Sequence, residues 1–333
     1  MSRVGQGSVM SRRAVLALVP GLVALGATRA LAQRPPGPAR IGWLGYVSPP
    51  DAGLENLRLG LQELGHVEGK SFVLIPRFAN GDFTRMPGLV DELMTERLDV
   101  LASRGPSVDY LKAGRSRVPV VFAYSGDPVV AGFADSLAKP GRNMTGITFM
   151  ALELSIKRIE LLKELVPQAT QIALLSNPEH TGELAEYRVT EDAARRVGAT
   201  ITRYLARSPS ELPAVMEKIR ASRPAAMIVF PDSLTLARRQ EIAEFAVRER
   251  IPSMFGWGEF TDAGGLASYG PGVIDSFKGL AKFVDKILKG ADASKVAIEQ
   301  VSRILLTINL TAARRIGLTV PQSMLVRADR VID

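Results

Sequence analysis

Arg40-Ile41-Gly42-Trp43-Leu44-Gly45-Tyr46 leads through Val47-Ser48-Pro49-Pro50-Asp51 into a segment with Leu54, Leu57, Leu61 and Leu64 at three- and four-residue spacing, closed by Gly65. The first run predicts a buried strand. The second predicts an amphipathic helix whose leucines face a sheet while Glu55, Arg58 and Gln62 face water, with Gly65 ending it. This alternation continues to about residue 270, the pattern of repeated βαβ units and a parallel sheet. Strands are expected at 40–46, 71–78, 99–103 and 119–124, each followed by a helix, and again at 171–176, 200–205, 225–230 and 251–255. Ile156, Ile159, Leu162 and Leu165 make a core-facing stripe before Pro167, and Ile242, Phe245 and Ala246 another before Pro252. The halves repeat one architecture, so the expected fold class is α/β with two doubly wound parallel-sheet lobes. A strand near 145–150 carries the chain to the second lobe, and a second crossing falls near 269–272. The following helix, residues 273–288, returns to the first lobe. A strand at 304–308 with a helix at 310–316 makes a third crossing. The expected division is 40–148 plus 272–300 for lobe 1 and 149–271 plus 301–333 for lobe 2.

The N-terminus is organised differently. Arg12 and Arg13 precede an uncharged apolar run at 14–28 and the small-residue sequence Ala30-Leu31-Ala32. That is a signal-peptide layout over residues 1–32, cleaved after Ala32. The run is too short for a bilayer-spanning helix and is interrupted by Pro20-Gly21. Ser11-Arg12-Arg13-Ala14-Val15-Leu16 resembles a twin-arginine (Tat) export motif, with an ordinary Sec signal as the alternative. Residues 33–39, rich in proline, read as a linker. The chain has no cysteine, hence neither a lipid on a mature N-terminal cysteine nor a disulfide. A soluble periplasmic protein is expected. The formal charge of +8 includes four arginines in residues 1–32; 42 basic residues less those four leaves 38 against 34 acidic, with no run of five like charges. Such a surface is not a phosphate-tracking stripe, and no nucleic acid partner is expected.

Catalytic signatures are sparse. His66 lies in a helix-ending turn and His180 in a loop, without ligand spacing to another His or Cys, and both read as exposed, incidental residues. Neither a phosphate-binding loop nor a nucleophile elbow occurs, and Gly256-Trp257-Gly258 lacks the third glycine of a dinucleotide fingerprint. No metal, cofactor or catalytic residue is expected. What remains is the loops at the carboxyl ends of strands, where open α/β sheets bind ligands. Candidate ligand-binding residues are Tyr46, Ser48, Arg104, Gly105, Ser107, Tyr124, Ser125 and Asp127 from the first half, and Asn177, Asp232, Trp257 and Glu259 from the second. The competing reading makes Asp127, Asp232 and Ser107 helix caps, Pro106 and Pro128 first-turn residues, and Tyr46, Tyr124, Trp257 and Phe260 core aromatics. A third reading pairs Asp127 with Asp232 as acid and base of a periplasmic hydrolase or isomerase.

Several segments resemble the family of ABC-transporter substrate-binding proteins that includes the tryptophan/tyrosine-type binding proteins. They are Pro119-Val120-Val121-Phe122 with Asp127-Pro128-Val129, and Ser136-Leu137-Ala138-Lys139-Pro140-Gly141-Arg142-Asn143-Met144-Thr145-Gly146. Lys157-Arg158-Ile159-Glu160-Leu161-Leu162-Lys163, Ala263-Gly264-Gly265-Leu266-Ala267-Ser268-Tyr269-Gly270 and Val284-Asp285-Lys286-Ile287-Leu288-Lys289-Gly290 match as well, as do Ile308-Asn309-Leu310 and Ile316-Gly317-Leu318-Thr319-Val320-Pro321. The resemblance implies the type I periplasmic-binding fold, with lobes joined by a three-crossing hinge that closes over a solute, and amino acids, notably aromatic ones, as ligands. It implies a monomer that delivers its small-molecule solute to an ABC permease and ATPase and meets the membrane only through that permease. Presentation of the closed form to a chemoreceptor or kinase is the alternative. The chain departs from many relatives at the end of strand three, where they carry a Gly-Thr-Pro-like turn and Arg104 precedes Gly105-Pro106. A guanidinium there can clamp a carboxylate bidentately but takes volume from the cleft, so a smaller or more acidic solute stands as an alternative to an aromatic amino acid.

Overall fold

The computed structural model describes residues 37–333 except 113–115, 117, 150 and 181. The expected signal peptide and residues 33–36 of the expected linker lie outside the described residues.

The first half builds β1 (Ala39–Gly45), α1 (Ala52–Glu63), β2 (Phe72–Phe78), α2 (Met86–Thr95), β3 (Val100–Arg104), β4 (Val120–Tyr124) and β5 (Met144–Thr148). Next come α3 (Ala151–Leu165), β6 (Gln171–Ser176), α4 (Glu183–Arg196), β7 (Thr200–Leu205), α5 (Leu212–Ser222), β8 (Ala226–Val229), α6 (Ser233–Ala237), α7 (Arg239–Arg248), β9 (Ser253–Phe255), α8 (Glu259–Asp262) and β10 (Ala267–Pro271). The chain ends through α9 (Val273–Leu288), β11 (Glu299–Gln300), β12 (Ile304–Asn309), α10 (Leu310–Ile316), α11 (Gln322–Arg327) and β13 (Arg330–Ile332).

Two sheets result. One has the order β2-β1-β3-β4-β5-β11 and the other β7-β6-β8-β9-β10-β12-β13. The first five strands of each follow the same doubly wound order and are parallel. Among the described residues the one departure from parallel pairing is β12, which runs antiparallel to β10. Every residue of β3, β4, β5 and β8 is buried, as expected of strands covered on both faces. Between the sheets the chain passes from β5 to α3, from β10 to α9 and from β11 to β12. α9 packs on α1, β4 and β5 of the first sheet. Gly60 permits this close approach, because a Cβ there would lie 2.6 Å from the Lys278 carbonyl oxygen.

Four local expectations need correction. β3 runs into a 3-10 segment, Gly105–Leu111, and not an α-helix. β4 is followed by turns as far as β5, because Gly132 and Gly141 at φ 78° and 71° break the path and no apolar period supports a helix. Leu64 is 44% exposed, since α1 ends at Glu63 and its buried stripe stops at Leu61. Ile156 is 40% exposed: the inward face of α3 is centred on Ser155, Arg158, Ile159 and Leu162, and Ile156 falls on its flank.

Candidate functional site

Parallel pairing brings the carboxyl ends of the strands level, with Arg104 opposite Ala123 and Tyr124 opposite Thr148 in one sheet and Val229 opposite Phe255 in the other. The loops leaving these ends meet in a void of about 10 Å³ lined by Arg104, Gly105, Ala123, Ser125, Phe149, Asp232, Ser233, Trp257 and Phe277. A hollow of that size holds roughly one water. Beside it runs a groove of about 940 Å³ between Val47–Asn56 and Asn80–Asp82 on one side and Ser208–Ser210 and Leu236–Arg239 on the other. Arg104 lines both spaces and is the wall between them.

Arg104 comes from the last residue of β3 and is 5% exposed. Its Nη2 donates to Asp51 Oδ1 at 3.1 Å and its Nη1 to Ser233 Oγ of the other sheet at 3.2 Å. The guanidinium lies 5.1 Å from the centroid of Phe277, a cation–π arrangement. Asp51 is the N-cap of α1: its Oδ1 also accepts from Gly53 N at 2.8 Å, and its Oδ2 from Trp43 Nε1 at 3.4 Å. The cation at the end of β3 is therefore matched by a buried carboxylate at the start of α1, the helix that follows β1 of the same sheet. Gly105 has φ 56°, a left-handed backbone that favours glycine, and a Cβ on it would lie 2.5 Å from Ser233 Oγ, which would have to turn away.

Asp232 faces Arg104 from the other sheet. Its Oδ1 accepts from Leu234 N at 2.7 Å and Asn177 Nδ2 at 3.1 Å, closing a capping box with Thr235 on α6. Its Oδ2 is buried without a partner, as are Arg104 Nε, Ser107 Oγ and Trp257 Nε1. Three of these four atoms belong to residues lining the void. Leaving a buried polar atom unpaired costs about 1–3 kcal/mol. The walls are aromatic: Phe149 meets Trp257 edge-on at 6.1 Å and Phe277 at 6.3 Å.

Two further contacts join the halves. Tyr46 Oη lies 2.9 Å from the Arg207 carbonyl and 3.0 Å from that of Gly81, so its single proton is shared between two acceptors. Burial, then the negative charge of Asp232, pushes the Tyr46 hydroxyl well above its ordinary pKa, keeping it a donor. His180 overturns its reading as an exposed, incidental loop residue. It is 5% exposed, stacks on Tyr124 at 5.4 Å and 7°, and hydrogen-bonds Ser125 Oγ through Nε2. Its Nδ1 accepts from Gly182 N at 3.1 Å, which puts the imidazole proton on Nε2. The reason is tertiary: β6 ends opposite β4 across the cleft, and the loop after β6 is folded onto Tyr124.

The remaining sequence candidates fall around this centre. Ser107 and Asn177 are buried next to it, and Ser48 lines the groove. Glu259 opens α8, half-buried. Asp127 is exposed, accepts from Val129 N at 2.7 Å and Val130 N at 3.3 Å, and lines a separate hollow with Leu152 and Glu153. It does not share the void with Asp232. Phe260 stacks on Phe255 at 4.7 Å in the core. Sequence reasoning missed Asp51 as the partner of Arg104, and Ser233, Phe149 and Phe277 as lining. Of these, Asp51 carried a signal: an acidic residue just before an amphipathic helix.

Beneath the site, Arg158 of α3 is 1% exposed and donates from Nε to the Tyr269 carbonyl at 2.9 Å and from Nη1 to Glu186 at 3.2 Å. Its Nη2 lies 3.4 Å from the carbonyl of Gly256, next to Trp257. Burial pushes Glu186 up, against the pull of Arg158 and the Ser155 hydroxyl, and pushes Arg158 down.

Residues 51–332 match the family described as ABC transporter substrate binding protein. A tyrosine-binding protein of Clostridioides difficile (strain R20291) is 20% identical over 251 residues, 75% of this chain and 72% of that protein. Among solved structures, a conserved domain protein from Vibrio cholerae superposes with a TM-score of 0.80 at 23% identity, covering 88% of this chain and 99% of that one. The ABC domain from Streptococcus pneumoniae in complex with L-Trp gives 0.79 at 24% identity, covering 89% and 100%.

Proposed function

The chain belongs to the ABC transporter substrate-binding protein family, and on that premise we propose that it is the exported solute receptor of an importer, taking an amino acid or related small carboxylate between its lobes. One observation carries this reading. Around the void, buried atoms without a hydrogen-bond partner among the described residues include donors at Arg104 Nε and Trp257 Nε1, a hydroxyl at Ser107, and an acceptor at Asp232 Oδ2. Donors with one carboxylate acceptor, contributed by both sheets, are the complement of a zwitterion: Asp232 holds the ammonium, and the indole N–H, the guanidinium Nε and Ser107 hold the carboxylate. The solute favours the closed arrangement because only there do both sets reach it.

Asp127 leaves the site in this reading, and with it the acid–base pair. The protein carries its solute unchanged to a permease and ATPase. Residues 1–32 direct export by the twin-arginine route and are removed after Ala32, and the lobes divide as 40–148 plus 272–300 and 149–271 plus 301–333. A thermal-shift screen of the protein amino acids and small organic acids tests solute binding. A cognate solute at 100 times its Kd adds about 2.7 kcal/mol, a rise of several degrees in Tm. A screen with no saturable rise contradicts the proposal.

A further inference from the structure

We propose that Arg104, clamped by Asp51, sets the size limit of the solute: the site takes a zwitterion with a small side chain and rejects aromatic amino acids. This rests on the amino-acid reading above and goes beyond it in naming the class. Two observations carry it; the void itself, about 10 Å³ in this arrangement, holds roughly one water and has to enlarge for any amino acid, so it sets no limit among them. The guanidinium already occupies the face of Phe277. Its ion pair with Asp51 joins β3 to the start of α1, both on one side of the cleft, with side chains 6% and 0% exposed, and so persists when the lobes part.

The two contacts of Arg104 differ in what it takes to break them. The bond to Ser233 spans the cleft and is lost in any opening, so a small solute enters by exchanging that bond for its own carboxylate. An indole or phenol anchored in the void meets the guanidinium, which lines the void and walls it off from the groove beside it. Moving Arg104 aside strands Asp51, which is 2% exposed, with its capping bonds but without its cation. Separating a buried pair in this way weakens binding by about 100-fold or more. Gly53 reinforces the position: a Cβ there would lie 2.6 Å from Arg104 Nε, so α1 is shaped to receive the arginine along its first turn.

Calorimetric titration with glycine, L-alanine, L-serine, L-tryptophan and L-tyrosine tests the proposal on the mature wild-type chain and on Arg104→Ser combined with Asp51→Asn. The second substitution keeps the α1 cap and avoids a stranded charge. Wild type is expected to bind at least one of the three small amino acids at least about 100-fold more tightly than either aromatic one. The double variant is expected to lose most of that ratio, with a cooperative melt confirming its fold; should it fail to fold, the wild-type ratio decides. Wild-type binding of L-tryptophan or L-tyrosine as tight as the small amino acids overturns the size limit and leaves the amino-acid reading standing. An unchanged ratio in the folded double variant overturns the role of Arg104. No binding of any amino acid overturns the size limit and the reading together.

Discussion

Asp232→Asn separates the charge at the centre of the site from the fold around it. In the wild type, Oδ1 accepts the Leu234 N–H and the Asn177 amide while Oδ2 has no partner. Asparagine retains the first oxygen and is as good an N-cap as aspartate, so α6 keeps its start at a cost of a few tenths of a kcal/mol at most. The free protein also sheds a buried charge that no cation touches, which offsets any loss. On the proposed assignment binding is affected differently, because the solute ammonium would lose its counter-charge and meet an amide N–H. Removing one partner of a desolvated charge pair costs about 2–5 kcal/mol, roughly 30- to 5,000-fold in Kd. Calorimetry with the best amino acid from the screen, alongside thermal melts of the free proteins, measures the two effects separately. Wild-type affinity in Asp232→Asn refutes the assignment and leaves Asp232 a helix cap. A fall of many degrees in the free-protein Tm would show that the charge serves the fold.

Gly105→Ala combines a left-handed φ, costing about 1–2 kcal/mol, with a collision with Ser233, so both Tm and solute affinity are expected to fall; adding Ser233→Gly should restore affinity more than Tm, and equal recovery of the two contradicts the cross-cleft clash. Arg158→Ala leaves Glu186 buried without its cation and should destabilise by about 3–5 kcal/mol in urea titration, whereas Glu186→Gln, which removes the charge that burial disfavours, should cost clearly less; the reverse order would sink this account. Burial raises the pKa of Asp285, but its bonds to Lys289 and His66 outweigh burial and hold it below the ordinary carboxylate range. Its contribution is therefore present above the unfolded-state pKa and lost as pH falls through the lower folded value, so Asp285→Asn should lower Tm at neutral pH and converge with wild type in acid; a constant difference at all pH values argues against it. On the proposed export and cleavage after Ala32, N-terminal sequencing of the exported chain is expected to read from Gln33.

The interior strands were legible because they are apolar runs bounded by turn residues. The bounds of β6 and β7 match the sequence reading, and those of β1 to β4 lie within one residue of it at each end. β11 and β13 were not, since two or three residues at a sheet edge carry no period and are defined by their neighbours. The twelve site residues came from one rule, polar groups at the carboxyl ends of strands, and that rule cannot distinguish Asp232, whose loop turns into the void, from Asp127, whose loop turns outward. Arg104 drew notice as a large cation in a glycine–proline turn. Its partner Asp51 lies 53 positions away, and such a pairing appears only once β1 and β3 are neighbours. His180 was misread because the sequence does not show that its loop is covered by Tyr124.

Small-angle scattering on the mature chain, with and without a saturating amino acid identified by the thermal-shift screen, tests most directly whether the solute is held by both lobes. Arg104 and Ser107 on one side and Asp232 and Trp257 on the other reach one small molecule only when the lobes are together, so the radius of gyration is expected to decrease on binding. A radius that stays the same at saturation would contradict the account and point to a site on one lobe alone.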